Sequence, residues 1–199
     1  MNLKKTLVST ILASTLSLSA SALTVGAADI IPRPTEFTQS KGSFALPAGA
    51  LTFAVKGDSD GRIANYLSLL PETFTPAEKP SKADLMIEIG KGTGENYTLD
   101  ITQRRINVKA PSAAGAFYAI QSLIQMTGTK DATELQAGRI TDTPRFPHRG
   151  LLFDVSRHFR SADFLKKQID AMALMKLNKL HLHFTDAAGW RMEVEKYPR

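Results

Sequence analysis

Cysteine is absent from the 199 residues, which excludes a disulfide-stapled scaffold and any zinc or redox site built on thiolates. Runs of one charge are lacking too. Against 19 Asp+Glu stand 25 Lys+Arg, and the basic residues Arg33, Arg62, Lys79, Arg104-Arg105 and Lys166-Lys167 are scattered rather than interleaved with aromatics. A nucleic-acid groove clusters such residues, so a solvated surface is expected and a nucleic-acid partner is not. No apolar run is long enough to span a bilayer. Tryptophan occurs once and histidine four times. Charged residues at 22% in mixed sign, with 43% hydrophobic residues, exclude wholesale disorder. Length excludes one further arrangement, because a complete (β/α)₈ barrel needs roughly 250 residues.

Residues 1–27 have the three parts of a secretory leader. Lys4 and Lys5 form a basic start, and Leu7 to Leu18 is uncharged and rich in Leu, Ser, Thr and Ala. Val25-Gly26-Ala27 or Gly26-Ala27-Ala28 supplies the small residues of a cleavage site. The remainder is expected to be soluble and exported, to a bacterial periplasm or the exterior, with no membrane attachment after cleavage. The leader takes 2 of the 25 basic residues and no acid, leaving 23 against 19, a net +4.

Residues 28–145 read as a small α+β domain. Strands are expected at "SFAL", at "LTFAV" before Gly57, and at "DLMIEIG", where Leu85, Ile87 and Ile89 alternate. A helix is expected from Asp58 to about Leu70, with Ile63, Tyr66, Leu67 and Leu70 at helical spacing and Pro71 to stop it. "PETFTPAEKPSK" carries three prolines and reads as a loop. "NYTLDITQRRINVKA" reads as a hairpin with Tyr97, Leu99, Ile101, Ile106 and Val108 inward. Ser112 caps a second helix whose stripe runs through Ala116, Phe117, Ile120, Leu123 and Ile124 to Gly128. "LQAGRITDTP" is the last strand of this part.

From residue 146 the pattern changes. Gly150 to Val155 is a nearly continuous apolar run, as in a strand buried on both faces. Ser161 then caps a helix to about Lys176, with Phe164, Leu165, Ile169, Met172 and Ala173 inward, and "KLHLHFTD" is a second buried strand. Strand, helix and strand make a right-handed parallel βαβ unit. The expected fold is therefore an α+β domain, its sheet covered by helices, followed by one βαβ.

In parallel α/β folds, sites gather at the carboxyl ends of strands. Asp154, Ser156, Arg157 and His158 follow the first strand; Thr185, Asp186 and Gly189-Trp190-Arg191 follow the second. A guanidinium offers a rigid fork of donors that suits vicinal hydroxyls or a carboxylate. Arg157 and Asp186 can thus face one crevice, either to bind a ligand or as a structural ion pair closing the strand ends. His181 and His183 form an H-x-H pair, a spacing some metal hydrolases use, with Asp186 as the nearest further ligand. Two inward histidines held by hydrogen bonds are the simpler reading, and no metal is expected. Trp190 serves as a packing anchor or a sugar-stacking platform.

These residues also carry a family pattern. RG-x-x-x-D-x-SRHF, ID-x-MA-x-x-K-x-N, H-x-H-x-x-D and GW-R-x-E-x-x-x-YP follow in order through residues 148–198. Together they resemble the opening of the catalytic barrel in β-N-acetylhexosaminidases of glycoside hydrolase family 20. "IIPRP", "YTLDIT", "INVKAPSAAGAFYAIQSLIQM" and "ITDTPRFPHRG" resemble the small non-catalytic domain that precedes it. The resemblance implies that residues 146–199 begin a (β/α)₈ TIM barrel cut short, after a leader at 1–27 and a small domain at 28–145. It implies an exo-acting enzyme that removes terminal N-acetylglucosamine or N-acetylgalactosamine from glycan ends without metal or organic cofactor. The family mechanism is substrate-assisted and retaining: the sugar's own acetamido oxygen attacks the anomeric carbon, an Asp orients the acetamido group, and an adjacent Glu is the general acid and base.

Carried over by position, Arg157 resembles the arginine that holds the outer hydroxyls of the terminal sugar. Asp186 resembles the aspartate of a polar network supporting the general acid, while Arg149, Asp154 and His183 match framework positions. The catalytic Asp-Glu pair belongs to a later strand, and no adjacent Asp-Glu occurs in these 199 residues. No catalytic residue is therefore expected in this chain, which should be inactive alone. Ala187 and Ala188 stand where the family usually has an acid and a Gln, so a looser loop is expected after the second strand. A non-catalytic carbohydrate- or protein-interaction fragment and a metal hydrolase are the competing classes.

Overall fold

The structure is a computed structural model and describes residues 23–129 and 131–196. The basic start and apolar run of the expected leader lie outside them. Twelve strands and three α-helices are described: β1 Leu23–Val25, β2 Glu36–Ala45, β3 Leu51–Lys56, α1 Arg62–Ser68, β4 Phe74–Pro76, β5 Leu85–Ile89, β6 Tyr97–Ile101, β7 Ile106–Ala110, α2 Ala113–Thr127, β8 Ala132–Asp142, β9 Gly150–Asp154, α3 Ala162–Leu174, β10 Lys179–His183, β11 Thr185–Asp186 and β12 Gly189–Trp190.

The first eight strands form one mixed sheet in the order β1-β8-β6-β7-β5-β3-β4, with β2 also on β8. Strand periodicity explains its core. Leu85 and Ile87, Leu99 and Ile101, and Ile106 and Val108 all point to the covered face and are fully buried. The covering helices are α1 and α2, joined by the Tyr66 and Phe117 rings at 4.9 Å and by Gln121 Nε2 donating to Tyr66 Oη at 2.9 Å. The opposite face carries Thr98, Asp100, Asn107 and Lys109, as a sheet with one wet side requires.

Several elements differ from the periodicity. The first helix begins at Arg62 rather than Asp58, because the Asp58 carboxylate instead accepts the Ala64 N–H at 2.8 Å and caps from outside. Phe74–Pro76 is a strand within the proline-rich segment; it sits at the sheet's end, where proline's missing N–H is tolerated. Strand β2 starts at Glu36, not Ser43, with an irregular register between Gln39 and Ser43. Leu23–Ala27, on the leader side of the expected boundary, belongs to the fold: β1 pairs in parallel with Ala132, Glu134 and Leu135.

The second part is the expected βαβ unit. Strands β9 and β10 pair in parallel, with Gly150 opposite Lys179 and Asp154 opposite His183. Ser161 Oγ accepts the Phe164 N–H at 3.2 Å and starts α3. The expected double burial of the strands does not hold among the described residues: Leu152 is 58% exposed, and Leu151 and Ile169 are exposed as well. The physical reason is that β9 and β10 have only each other as strand partners among the described residues, and α3 meets them through Phe164, whose ring lies 5.9 Å from that of Phe153.

Helix α3 ends at Leu174, short of Lys176. Leu177 N–H donates to the Met172 carbonyl at 2.8 Å and Lys176 N–H to Ala173 at 2.9 Å, the paired bonds of a Schellman termination. Lys176 therefore takes φ 58°, where glycine is usual. Its side chain explains the choice. Nζ is buried and lies 2.9 Å from both Asp142 Oδ2 and Tyr97 Oη, and Tyr97 Oη meets Ser122 Oγ at 2.6 Å.

Around this ammonium the two parts are sewn together. Arg149 pairs with Glu95 at 2.9 Å. Asn178 Nδ2 donates to Glu95 at 3.2 Å and to the Pro147 carbonyl at 2.9 Å. Gln125 Nε2 donates to the carbonyls of Ile31 at 2.7 Å and Leu174 at 2.8 Å. Burial pushes the Lys176 ammonium below the ordinary lysine value against the pull of Asp142, and burial beside Asp142 pushes the Tyr97 phenol up.

Candidate functional site

The parallel register sets Asp154 beside His183 at the carboxyl ends of β9 and β10. Beyond Asp154 the chain turns back on itself. Val155 and Ser156 both donate their N–H to the His183 carbonyl at 3.2 Å, and Asp154 Oδ1 accepts from Ser156 N at 3.1 Å and Arg157 N at 2.9 Å. This carboxylate-headed turn aims Arg157 across the strand ends.

Arg157 then spans two carboxylates. Nη1 lies 3.0 Å from Asp154 Oδ2 and Nη2 2.7 Å from Asp186 Oδ2. His183 sits between the same two groups, Nδ1 at 3.5 Å from Asp154 and Nε2 at 3.6 Å from Asp186, with Nε2 2.8 Å from the Thr185 carbonyl. The Arg157 N–H holds the Asp154 carboxyl below the usual carboxylate range against partial burial, with help from His183 and the Arg157 guanidinium. The Arg157 side chain is 59% exposed. A guanidinium clamped at two nitrogens yet open to solvent is pre-oriented for an oxygen-rich ligand.

A second layer holds this turn. Strands β11 and β12 form a hairpin whose turn is Ala187-Ala188, and Ala187 N–H donates to Asp186 Oδ1 at 2.6 Å. The two alanines stand at this turn. Ser156 Oγ donates to the Gly189 carbonyl at 2.6 Å. Arg191 donates from Nε to the Val155 carbonyl and from Nη2 to the Ser156 carbonyl, both at 3.0 Å, with its guanidinium 5.4 Å over the Phe159 ring. Gly189 is required by this closeness: a Cβ there would lie 2.9 Å from the Ser156 carbonyl oxygen.

Arg157 and Asp186 are therefore brought together directly. Arg149 lies at the seam with the small domain, away from them, while Asp154 and His183 frame the cluster. His181 is exposed and outside it, opposite Leu152. Among the described residues no group of three or more His, Cys, Asp or Glu could hold a metal ion. Trp190 is exposed on the hairpin. The bracing by Ser156, Gly189 and Arg191 goes beyond the sequence expectations; the G-W-R run gives their position but no role. No helix among the described residues is long and apolar enough to cross a membrane.

Comparison with known proteins follows the same division. Residues 27–143 match the family model "Glycosyl hydrolase family 20, domain 2", and residues 146–199 match "Glycosyl hydrolase family 20, catalytic domain". The chain is similar to the N,N'-diacetylchitobiase of Vibrio harveyi, 42% identical over 116 residues, covering 58% of this chain and 13% of that protein. It is similar to a β-hexosaminidase of Porphyromonas gingivalis, 32% identical over 189 residues, covering 86% of this chain and 24% of that protein. Among solved structures it resembles the β-N-acetylhexosaminidase of Bacteroides fragilis, with TM-score 0.74, 30% identity and coverage of 85% and 36%. The N-acetyl-β-hexosaminidase of Streptomyces plicatus gives 0.72, 29%, and coverage of 85% and 37%. The chain thus spans about a quarter or less of those two curated relatives. With one family model spanning more than half its residues and a second from the same family taking the rest of the fold, this chain belongs to glycosyl hydrolase family 20.

Proposed function

We propose that this chain is the amino-terminal portion of an exported, exo-acting β-N-acetylhexosaminidase that hydrolyses terminal N-acetylglucosamine or N-acetylgalactosamine from glycans by substrate-assisted retaining catalysis. The observation that carries the reading is the solvent-facing Arg157 guanidinium, fixed between Asp154 and Asp186 at the ends of two parallel strands. Such a fork matches the outer hydroxyls of a terminal sugar. In this reading the sugar's acetamido oxygen is the nucleophile, tethered beside the carbon it attacks, so the protein needs to supply only orientation and acid–base groups.

Residues 146–199 are the first βαβ of a (β/α)₈ barrel. Support comes from the exposed Leu151, Leu152 and Ile169, an apolar surface that further strands and helices would cover. The 199 residues alone are inactive, because the acid and the acetamido-orienting Asp stand on a later strand. Purified chain incubated with an aryl N-acetylglucosaminide should give no turnover above background; measurable turnover would sink the inactivity. The nucleotide sequence past the Arg199 codon tests the rest. A frame that continues to an adjacent Asp-Glu codon pair supports the reading, and a frame that continues without one counts against it.

A further inference from the structure

We infer that the leader is removed after Ala22, so that the exported protein begins at Leu23. The inference rests on the proposed export and concerns where the chain is cut. Two places in the sequence offer small residues at the positions a signal peptidase reads: Ala20-Ser21-Ala22, and the overlapping Val25-Gly26-Ala27 and Gly26-Ala27-Ala28. Composition alone ranks neither. The fold does.

The stretch from Leu23 to Ile30 is built into the fold. Leu23, Thr24 and Val25 pair in parallel with Ala132, Glu134 and Leu135, filling the length of β8 that β6 leaves free before Gly138. Thr24 Oγ1 donates to Glu134 Oε2 at 3.3 Å. Val25 is 2% exposed, Ala27 3% and Ile30 1%, all within the main core. Gly26 N–H donates to Asp29 Oδ2 at 3.2 Å, and Ile30 N–H donates to the Ala27 carbonyl at 3.3 Å.

A cut after Ala27 or Ala28 discards β1 and the Val25 and Ala27 side chains. It also leaves a new ammonium within three residues of buried Ile30. Exposed apolar surface on Leu135 and an unpaired stretch of β8 would follow. A cut after Ala22 removes none of these contacts and sets the new amine on Leu23, which is exposed. It also falls four residues past Leu18, close to the end of the leucine-rich stretch. The later cuts would leave Leu23 and Val25, two strand-forming residues, inside the discarded peptide.

The test is to express the whole chain with its leader in a secreting bacterium and read the amino terminus of the exported product by intact mass and Edman degradation. Leu23 is expected. A terminus at Ala28 or Asp29 overturns the inference while leaving export standing; an uncleaved chain overturns both. As an independent measure, chains beginning at Leu23 and at Asp29 are compared by thermal melting. The shorter should melt at least about 5 °C lower, and equal melting temperatures would remove the structural basis for the earlier cut.

Discussion

Arg157 and Lys176 are the two cations whose surroundings decide most. Arg157 is open to solvent, so its ion pairs contribute little to stability; its consequence is electrostatic. Because the Arg157 backbone N–H is the leading cause of the low Asp154 value, Arg157→Ala should raise the Asp154 titration only part of the way to the usual carboxylate range. NMR titration of the carboxyl carbon checks this, and a full return would contradict it. The sign is that of a depressed acid: the contribution is complete above the unfolded value of about 4 and is lost as pH falls through the lower folded value. Lys176 is buried, so its removal leaves the Asp142 carboxylate without its cation. Lys176→Ala should cost about 3 kcal/mol in urea unfolding. Lys176→Gly should cost about 1 kcal/mol less, because glycine accepts φ 58° without strain.

At the scale of elements, the hairpin β11–β12 depends on a missing side chain. Gly189→Ala places a carbon against the Ser156 carbonyl and the Arg191 guanidinium. It should destabilise the chain by about 1–3 kcal/mol and loosen Arg157, seen as faster amide exchange at Ser156 and Arg157. Helix α2 shows what was legible in the sequence. Ser112, the apolar stripe and Gly128 all act as the spacing predicts, because capping and 3.6-residue periodicity are local. Strands β5, β6 and β7 were equally readable by their alternation. Strand β2 was not, since Thr38, Gln39, Ser40 and Lys41 are polar and exposed and no alternation marks them. For the site, the strand ends were readable from the two apolar runs. The meeting of Arg157 with Asp186 depends on the β9–β10 register, which no local pattern encodes. The network of Lys176, Asp142 and Glu95 around the inward Tyr97 escaped for the same reason: its members come from distant segments that no local pattern joins.

For the molecule as a whole, α2 is the element on which both parts stand. One side packs on the sheet; another meets the end of α3, where Gln125 holds Leu174 and Ser122 joins the Tyr97–Lys176 network. Calorimetry on residues 23–199 should therefore show one transition, not two. A separate low-temperature transition for residues 146–199 would contradict the coupling. Helix α2 is thus covered on two flanks, by apolar packing on the sheet and by hydrogen bonds at the end of α3. Excising residues 27–143 would not release a finished module: it would bare a flank that was interior a moment before, with Asp142 facing water in place of an ammonium. The small domain of this chain is closed by the lysine-bearing turn that follows α3.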